Sequence, residues 1–201
     1  MEHLSIDIET YSDIDITKCG VYRYVESDNF EILLFAYSVN GEEVKIIDLA
    51  SGEKIPDEII NLMQSPDCIK HAYNAAFEYI CLSKFYALDI RQWQCTMVHG
   101  LYCGYTAGLG ITAKVLGLPQ DKQKDQKGKN LIRYFCIHCK PTKTNGGRTR
   151  NYHYHDSEKW NDFKNYCIQD VVTEMEIENR LTDFPVPENE WENWYLDQDI
   201  N

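Results

Sequence analysis

The octapeptide LSIDIETY, Leu4 to Tyr11, reads as an apolar strand that contains two acids, Asp7 and Glu9. Alternate residues of a strand share a face, so both carboxylates point the same way. An unpaired carboxylate in apolar surroundings is costly, and two side by side repel. Either this strand face lies at a solvated edge or a cation neutralises the pair. Any fold for the chain must satisfy one of those conditions.

Two further acids have matching settings. In HAYNAAFEY, Asn74, Phe77 and Glu78 fall at i, i+3 and i+4, on one helical face. A lone helical glutamate usually faces solvent, but Glu78 sits among Ala75, Ala76, Phe77, Ile80 and Leu82. In YCIQD, Tyr166 and Asp170 are one turn apart, and taken singly they read as a hydrogen-bonded pair. They lie beside an apolar stripe of Trp160, Phe163, Cys167, Val171 and Met175 on a helix ending near Leu181. Together, four acids on three apolar elements call for divalent cations, and carboxylate oxygens suit Mg²⁺ or Mn²⁺. Two such ions about 4 Å apart clamp the attacking and leaving oxygens of a phosphodiester displacement.

The remaining pattern places these pieces in an α/β chain. Leu4–Ile8 alternates as a strand, and FEILLFAYSV and EEVKIIDL flank an Asn40-Gly41 hairpin signal. A short helix is expected from Pro56 to Met63, then a strand in CIKHAY, then a helix capped by Asn74 and running to about Tyr86. CTMVHGLYCG, GITAKVLG and KNLIRYF read as short helices, and KPTKTNGGRTRN as a loop. Ser157 is the expected cap of the last long helix. This order suits a mixed β-sheet flanked by α-helices, of ribonuclease H-like type. Residues 1–184 form the expected domain. Pro185 and Pro187 mark 185–201 as a linker or the start of a further domain.

Net charge is −12 over 201 residues, which argues against a polyanionic partner until its distribution is considered. From Lys114 to Arg150 there are ten Lys or Arg and two acids, a local +8, which leaves −20 for the rest. Such a split can hold a polyanion on one surface and cations on another. No apolar run approaches the roughly 18 residues of a membrane span. The N-terminus lacks a basic signal region, and the eight cysteines lie mostly in apolar stretches. A reducing, cytoplasmic setting is expected.

DIET, NAAFE and YCIQD resemble, in order and spacing, the three exonuclease motifs of the DEDDy 3′→5′ exonuclease superfamily. LSIDIETYSDIDITKCGVYRY, GKNLIRYFCIHCKPTKTNGGRTRN and EKWNDFKNYCIQDV are similar to the N-terminal proofreading domain of phage and prophage family A DNA polymerases. The resemblance covers essentially the whole chain. It implies a metal-dependent exonuclease acting on single-stranded DNA 3′ ends, with a polymerase domain in the same polypeptide. It implies that Asp7 bridges two metal ions, that Glu9 and Asp170 hold one of them with it, and that Glu78 supports the other. Tyr166 would orient the attacking water, since a tyrosine with a pKa of roughly 10 is a poor base at neutral pH. Asn74 and Phe77 would place the terminal nucleotide, with Thr10 and Tyr11 at the same edge. The wider superfamily usually has Asp where this chain has Glu78, which leaves the second ligation open.

Lys140, Lys143, Arg148 and Arg150 are the candidate phosphate contacts within the basic stretch. Cys136-x-x-Cys139 with His153 and His155 suggests zinc, but His-x-His is tighter than the usual pair, so a packed loop is the preferred reading. Two alternatives stay open. One is an RNA exonuclease of the same fold, which would differ in its handling of the 2′-OH. The other is a nuclease-dead module that only holds single-stranded DNA.

Overall fold

The computed structural model of the chain describes residues 1–106, 108–120 and 128–200. The chain opens with β1 (Glu2–Tyr11) and helix α1 (Ile16–Glu26), then makes β2 (Glu31–Val39) and β3 (Lys45–Asp48). Helix α2 (Asp57–Gln64) leads to β4 (Cys68–Ala72), α3 (Ala75–Ser83) and β5 (Trp93–Cys95). Helices α4 (Thr96–Tyr102), α5 (Leu109–Val115), α6 (Gly128–Phe135), α7 (Ser157–Leu181) and α8 (Glu188–Ile200) complete it.

The sheet order is β3-β2-β1-β4-β5, with β1 at the centre. β2 pairs antiparallel with β1 and with β3, while β4 pairs parallel with β1 and with β5. The expected mixed sheet with helices on its faces is therefore what forms. On one face Leu4, Ile6 and Ile8 pack with Phe35, Tyr37, Met63, Leu82 and Trp93. On the other, Tyr11, Leu34 and Ala36 pack with Leu131, Phe135, Phe163, Cys167 and Val171. Asp7 and Glu9 share the phase of Tyr11, which turns them toward α6 and α7. A bulge follows at once: pairing runs from Glu9–Leu34 to Thr10–Ile32 and skips Leu33. Such bulges re-aim side chains at the ends of strands.

The hairpin turn is as read, with Asn40 at φ 52° and Gly41 at φ 75°. Regular pairing, however, begins only at Tyr37–Lys45, so the connection is longer than two residues. The Asn74 side chain makes no capping bond, although Asn74 is the N-cap of α3, and α3 ends at Ser83 rather than near Tyr86. The cap of α7 is Asp156 rather than Ser157, its side chain accepting from the Lys159 amide at 3.0 Å. The buried stripe of α7 continues through Ile177 and Leu181, with Met175 only partly covered.

Two stretches differ from the sequence reading more substantially. The sequence pattern gives residues 16–26 no element, yet they form α1, capped by Asp15 and kinked at Gly20 (φ 76°, ψ 171°). The kink breaks the helical period, and only Tyr24 and Val25 of α1 are buried, so no stripe announces it. Residues 188–200, read as linker-like, form α8. Its Tyr195 is buried and donates to the Trp93 carbonyl at 3.2 Å, while Arg91 pairs with Asp199 at 2.7 Å. Trp191 and Trp194 pack against the same core. Pro187 stands immediately before the first residue of this helix, and its carbonyl accepts from the Glu190 amide at 3.0 Å. Among the described residues no helix is long and apolar enough to cross a membrane. All eight cysteines are free thiols.

Docking of α8 has a measurable consequence. Tyr195→Ala should cost about 3 kcal/mol by loss of buried ring area, and Tyr195→Phe about 1 kcal/mol by loss of one hydrogen bond. Urea unfolding of both variants checks this; stability unchanged in Tyr195→Ala would mean that α8 is not docked in solution.

Candidate active site

Asp7 and Glu9 lie in the carboxyl-terminal half of β1. Because β4 runs parallel to β1, the helix that follows it, α3, starts beside that same end and carries Glu78 there. In open α/β sheets the crevice outside the strand carboxyl ends is where ligands bind. The middle of α7 brings Tyr166 and Asp170 to this point from the adjoining face. Glu9, Glu78, Tyr166 and Asp170 are all buried, at 8%, 5%, 2% and 5% exposure, and Asp7 is partly so.

The charges act on one another. Burial pushes the Glu78 carboxyl well above its ordinary pKa, and Asp7, Glu174 and Asp170 push it further. Burial also raises the Tyr166 phenol, with Asp170, Glu9 and Asp7 adding to the effect. The five side chains that the three motifs supply thus lie within reach of one another's charge. Oε2 of Glu78 is buried with no hydrogen-bond partner. A buried carboxylate oxygen without a donor is rare and fits a cation ligand. The donor set is all carboxylate oxygen, which fits Mg²⁺ or Mn²⁺. Among the described residues no three Asp, Glu, His or Cys side chains stand gathered as a ready-made cage.

Three neighbours of the site are not assigned to it by the sequence reading. Cys167 donates to Asp7 Oδ2 at 3.2 Å and Cys136 to Glu9 Oε2 at 3.8 Å, so two thiols back the β1 carboxylates. Glu174, one turn beyond Asp170, is buried and accepts from Thr96 Oγ1. A signal for it existed: Tyr166, Asp170, Glu174 and Glu178 recur every four residues along one side of α7.

A cleft of about 610 Å³ opens beside Glu9, between α1, α3 and α6. Ile8, Thr10, Tyr24, Phe77, Ile132 and Cys136 line it. Thr10 Oγ1 is hydrogen-bonded to Tyr24 OH at 2.9 Å, and the Phe77 ring lies 6.4 Å from that of Tyr24. Asn74 is exposed at the start of α3. Tyr11 is elsewhere: it is buried beneath the Arg150 guanidinium, 3.8 Å from its ring centre.

The four basic candidates divide in two. Arg150 also stacks on Tyr152 at 4.6 Å and pairs with Glu31, so it fastens the loop to the sheet. Arg148 donates to Asn151 Oδ1 at 2.7 Å and to the Asn145 carbonyl at 3.0 Å within the loop. Lys140 and Lys143 are exposed. Residues 121–127, with three lysines and both acids of the basic stretch, lie outside the described residues. The Cys/His segment makes hydrogen bonds within its loop and to the site. Cys136 turns to Glu9, Cys139 Sγ donates to the Arg148 carbonyl at 3.5 Å, and His155 Nδ1 accepts from the Tyr152 amide at 2.8 Å.

No protein-family model matches the chain. A DNA polymerase of Bacillus phage SP02 is 51% identical over 203 residues, a match that takes in 100% of this chain and 31% of that polymerase. The chain is homologous to part of a phage DNA polymerase. It spans about a third of the length of that curated relative. A solved structure described as the apo form of a nuclease aligns over 98% of this chain and 79% of its own, with a TM-score of 0.57 and 14% identity. The fold is thus ribonuclease H-like α/β, and it is shared with a nuclease.

Glu174 gives a pH test. Its carboxyl is pushed up to about 7, chiefly by burial; the Thr96 hydrogen bond opposes this and Glu178 adds to it. A carboxyl raised in the folded state contributes stability below its unfolded value of 4.5, and this is lost as pH rises through about 7. Glu174→Gln removes that dependence. The melting temperature of the variant minus that of the metal-free parent should therefore grow from about pH 4 to about pH 8. A difference flat across this range would mean that Glu174 ionises as it does in water.

Proposed function

We propose that the chain is a metal-dependent 3′→5′ exonuclease that removes nucleotides from DNA 3′ ends, serving as the proofreading domain of a DNA polymerase. The observation that carries this reading is that Asp7, Glu9, Glu78, Asp170 and Tyr166, carried by three separate elements, face one another's charge near the carboxyl end of the central strand. The 51% identity to a phage DNA polymerase supports the polymerase context. The 3′→5′ direction and the DNA substrate rest on the motif resemblance. A polymerase domain in the same polypeptide and a bacterial or phage-infected cytoplasm belong to the same proposal.

Asp7, Glu9, Glu78 and Asp170 would hold two divalent ions, Mg²⁺ or Mn²⁺. Such ions, when bound, lower the pKa of water and neutralise charge on the reacting phosphate. The protein's own groups do the rest. The four carboxylates set where the cations and hence the scissile phosphate sit. Burial, with Asp170, Glu9 and Asp7, raises the Tyr166 phenol above its ordinary value of roughly 10, already well above neutral pH. It therefore acts as a hydrogen-bonding group that orients water and does not remove a proton. The apolar cleft beside Glu9 receives the terminal nucleotide, with Phe77 offering a ring face for stacking. Lys140 and Lys143 meet phosphates without reading sequence.

A 5′-labelled single-stranded DNA oligonucleotide incubated with Mn²⁺ should shorten from its 3′ end, and Asp7→Ala should abolish this. Tyr166→Phe should slow cleavage by about 10²-fold, as misorientation of a reactant does. Saturating Mn²⁺ at 100 times its Kd should stabilise the protein by about 2.7 kcal/mol, and Asp7→Ala should erase that shift. Cleavage of a matched RNA alone would replace the DNA reading. No cleavage, and no stabilisation by either ion, would overturn the two-ion site.

A further inference from the structure

Helix α6 starts at Gly128, and that residue is buried. A β-carbon built there would fall on ring atoms Cε2, Cδ2 and Cζ of Tyr166, far inside van der Waals contact. The space demands glycine there: the helix start lies close against the Tyr166 ring. Phe163 stacks on the same ring at 6.2 Å with planes 10° apart, and Phe135 of α6 stacks on Phe163 at 5.3 Å. One face of α6, through Gly128, Leu131 and Phe135, thus closes onto α7 around this tyrosine.

We infer that Gly128 is a positioning residue that sets the direction of the Tyr166 phenol toward the carboxylates. Tyr166 is inside a close-packed interior, where an added methyl is felt by its neighbours. A ring displaced by a Gly128 side chain carries its hydroxyl away from Asp170 and from the reacting water. Ile132, one turn along the same helix, and Cys136, just past its end, line the cleft beside Glu9. The helix that presses on the phenol therefore also walls the pocket, and a group filling the pocket bears on both. The role assigned to Gly128 rests on the proposed nuclease reading; the packing against Tyr166 does not.

The test is a cycle of Gly128→Ala, Tyr166→Leu and the double variant, read by thermal melting and by kinetics on a labelled single-stranded DNA with Mn²⁺. Leucine lacks the ring atoms that a β-carbon at 128 would strike. Gly128→Ala should lower the melting temperature in the parent and leave it unchanged in the Tyr166→Leu background. In the folded Gly128→Ala protein kcat should fall about tenfold or more, with KM within about twofold and the Mn²⁺-induced melting shift retained. An equal melting loss in both backgrounds would overturn the contact, as would loss of folding in both. Loss of folding that Tyr166→Leu relieves would support it. Unchanged kcat, or a loss confined to KM, would overturn the positioning role. A parent protein that cleaves nothing would instead overturn the nuclease reading, leaving the melting cycle to judge the contact.

Discussion

Mutual repulsion of buried carboxylates is the constraint around which this molecule is organised. Two like charges 4 Å apart at an effective dielectric of 20 repel by about 4 kcal/mol, and a domain's whole stability is only about 5–15 kcal/mol. Asp7, Glu9, Glu78, Asp170 and Glu174 cannot all be ionised together without compensation. In the protein alone the acids are driven toward protonation: burial first, then Asp7, Glu174 and Asp170, pushes Glu78 upward, and burial with a smaller push from Glu178 raises Glu174. The acids are held against one another by packing elsewhere. β1 is clamped between β2 and β4, and α7 is anchored by Phe163, Cys167, Val171 and Ile177, none of which is exposed.

The acids could be read from the sequence because they lie on regular elements. Asp7 and Glu9 differ by two on a strand, and Tyr166 and Asp170 by four on a helix, so spacing alone fixes which side chains share a face. What spacing cannot supply is which faces meet. Cys136, Cys167 and Gly128 join the site through contacts between α6, α7 and β1, far apart in the chain. Nothing local to any of them signals this. Element α1 escaped because Gly20 interrupts its period. Helix α8 escaped because its apolar face, Trp191, Trp194 and Tyr195 at i, i+3 and i+4, spans only about one turn beside the Pro187 boundary, amid acids and amides.

The basic segment illustrates the same limit from the electrostatic side. A sequence displays charges but not their partners. Arg148 and Arg150 count equally with Lys140 and Lys143 in a net +8, yet the two arginines are spent inside the fold. Arg150 is enclosed by two tyrosine rings and Glu31, where its planar group has stacking and pairing that a lysine could not match. The lysines remain outside, as their more strongly hydrated ammonium groups favour.

On the proposed reading, this separation of charge joins cation binding to strand binding. With its carboxylates ionised and bare, the crevice repels a phosphate, and the chain's overall −12 adds to that repulsion. Protons relieve the repulsion among the acids, but a protonated carboxyl offers a phosphate only a hydrogen bond. Cations both relieve it and reverse the sign of the field at the reacting phosphate. The exposed lysines can hold a strand's backbone nearby whether or not cations are present. Only the loaded crevice can then accept its end, so the same repulsion that makes the empty site costly also keeps an unloaded site from engaging substrate.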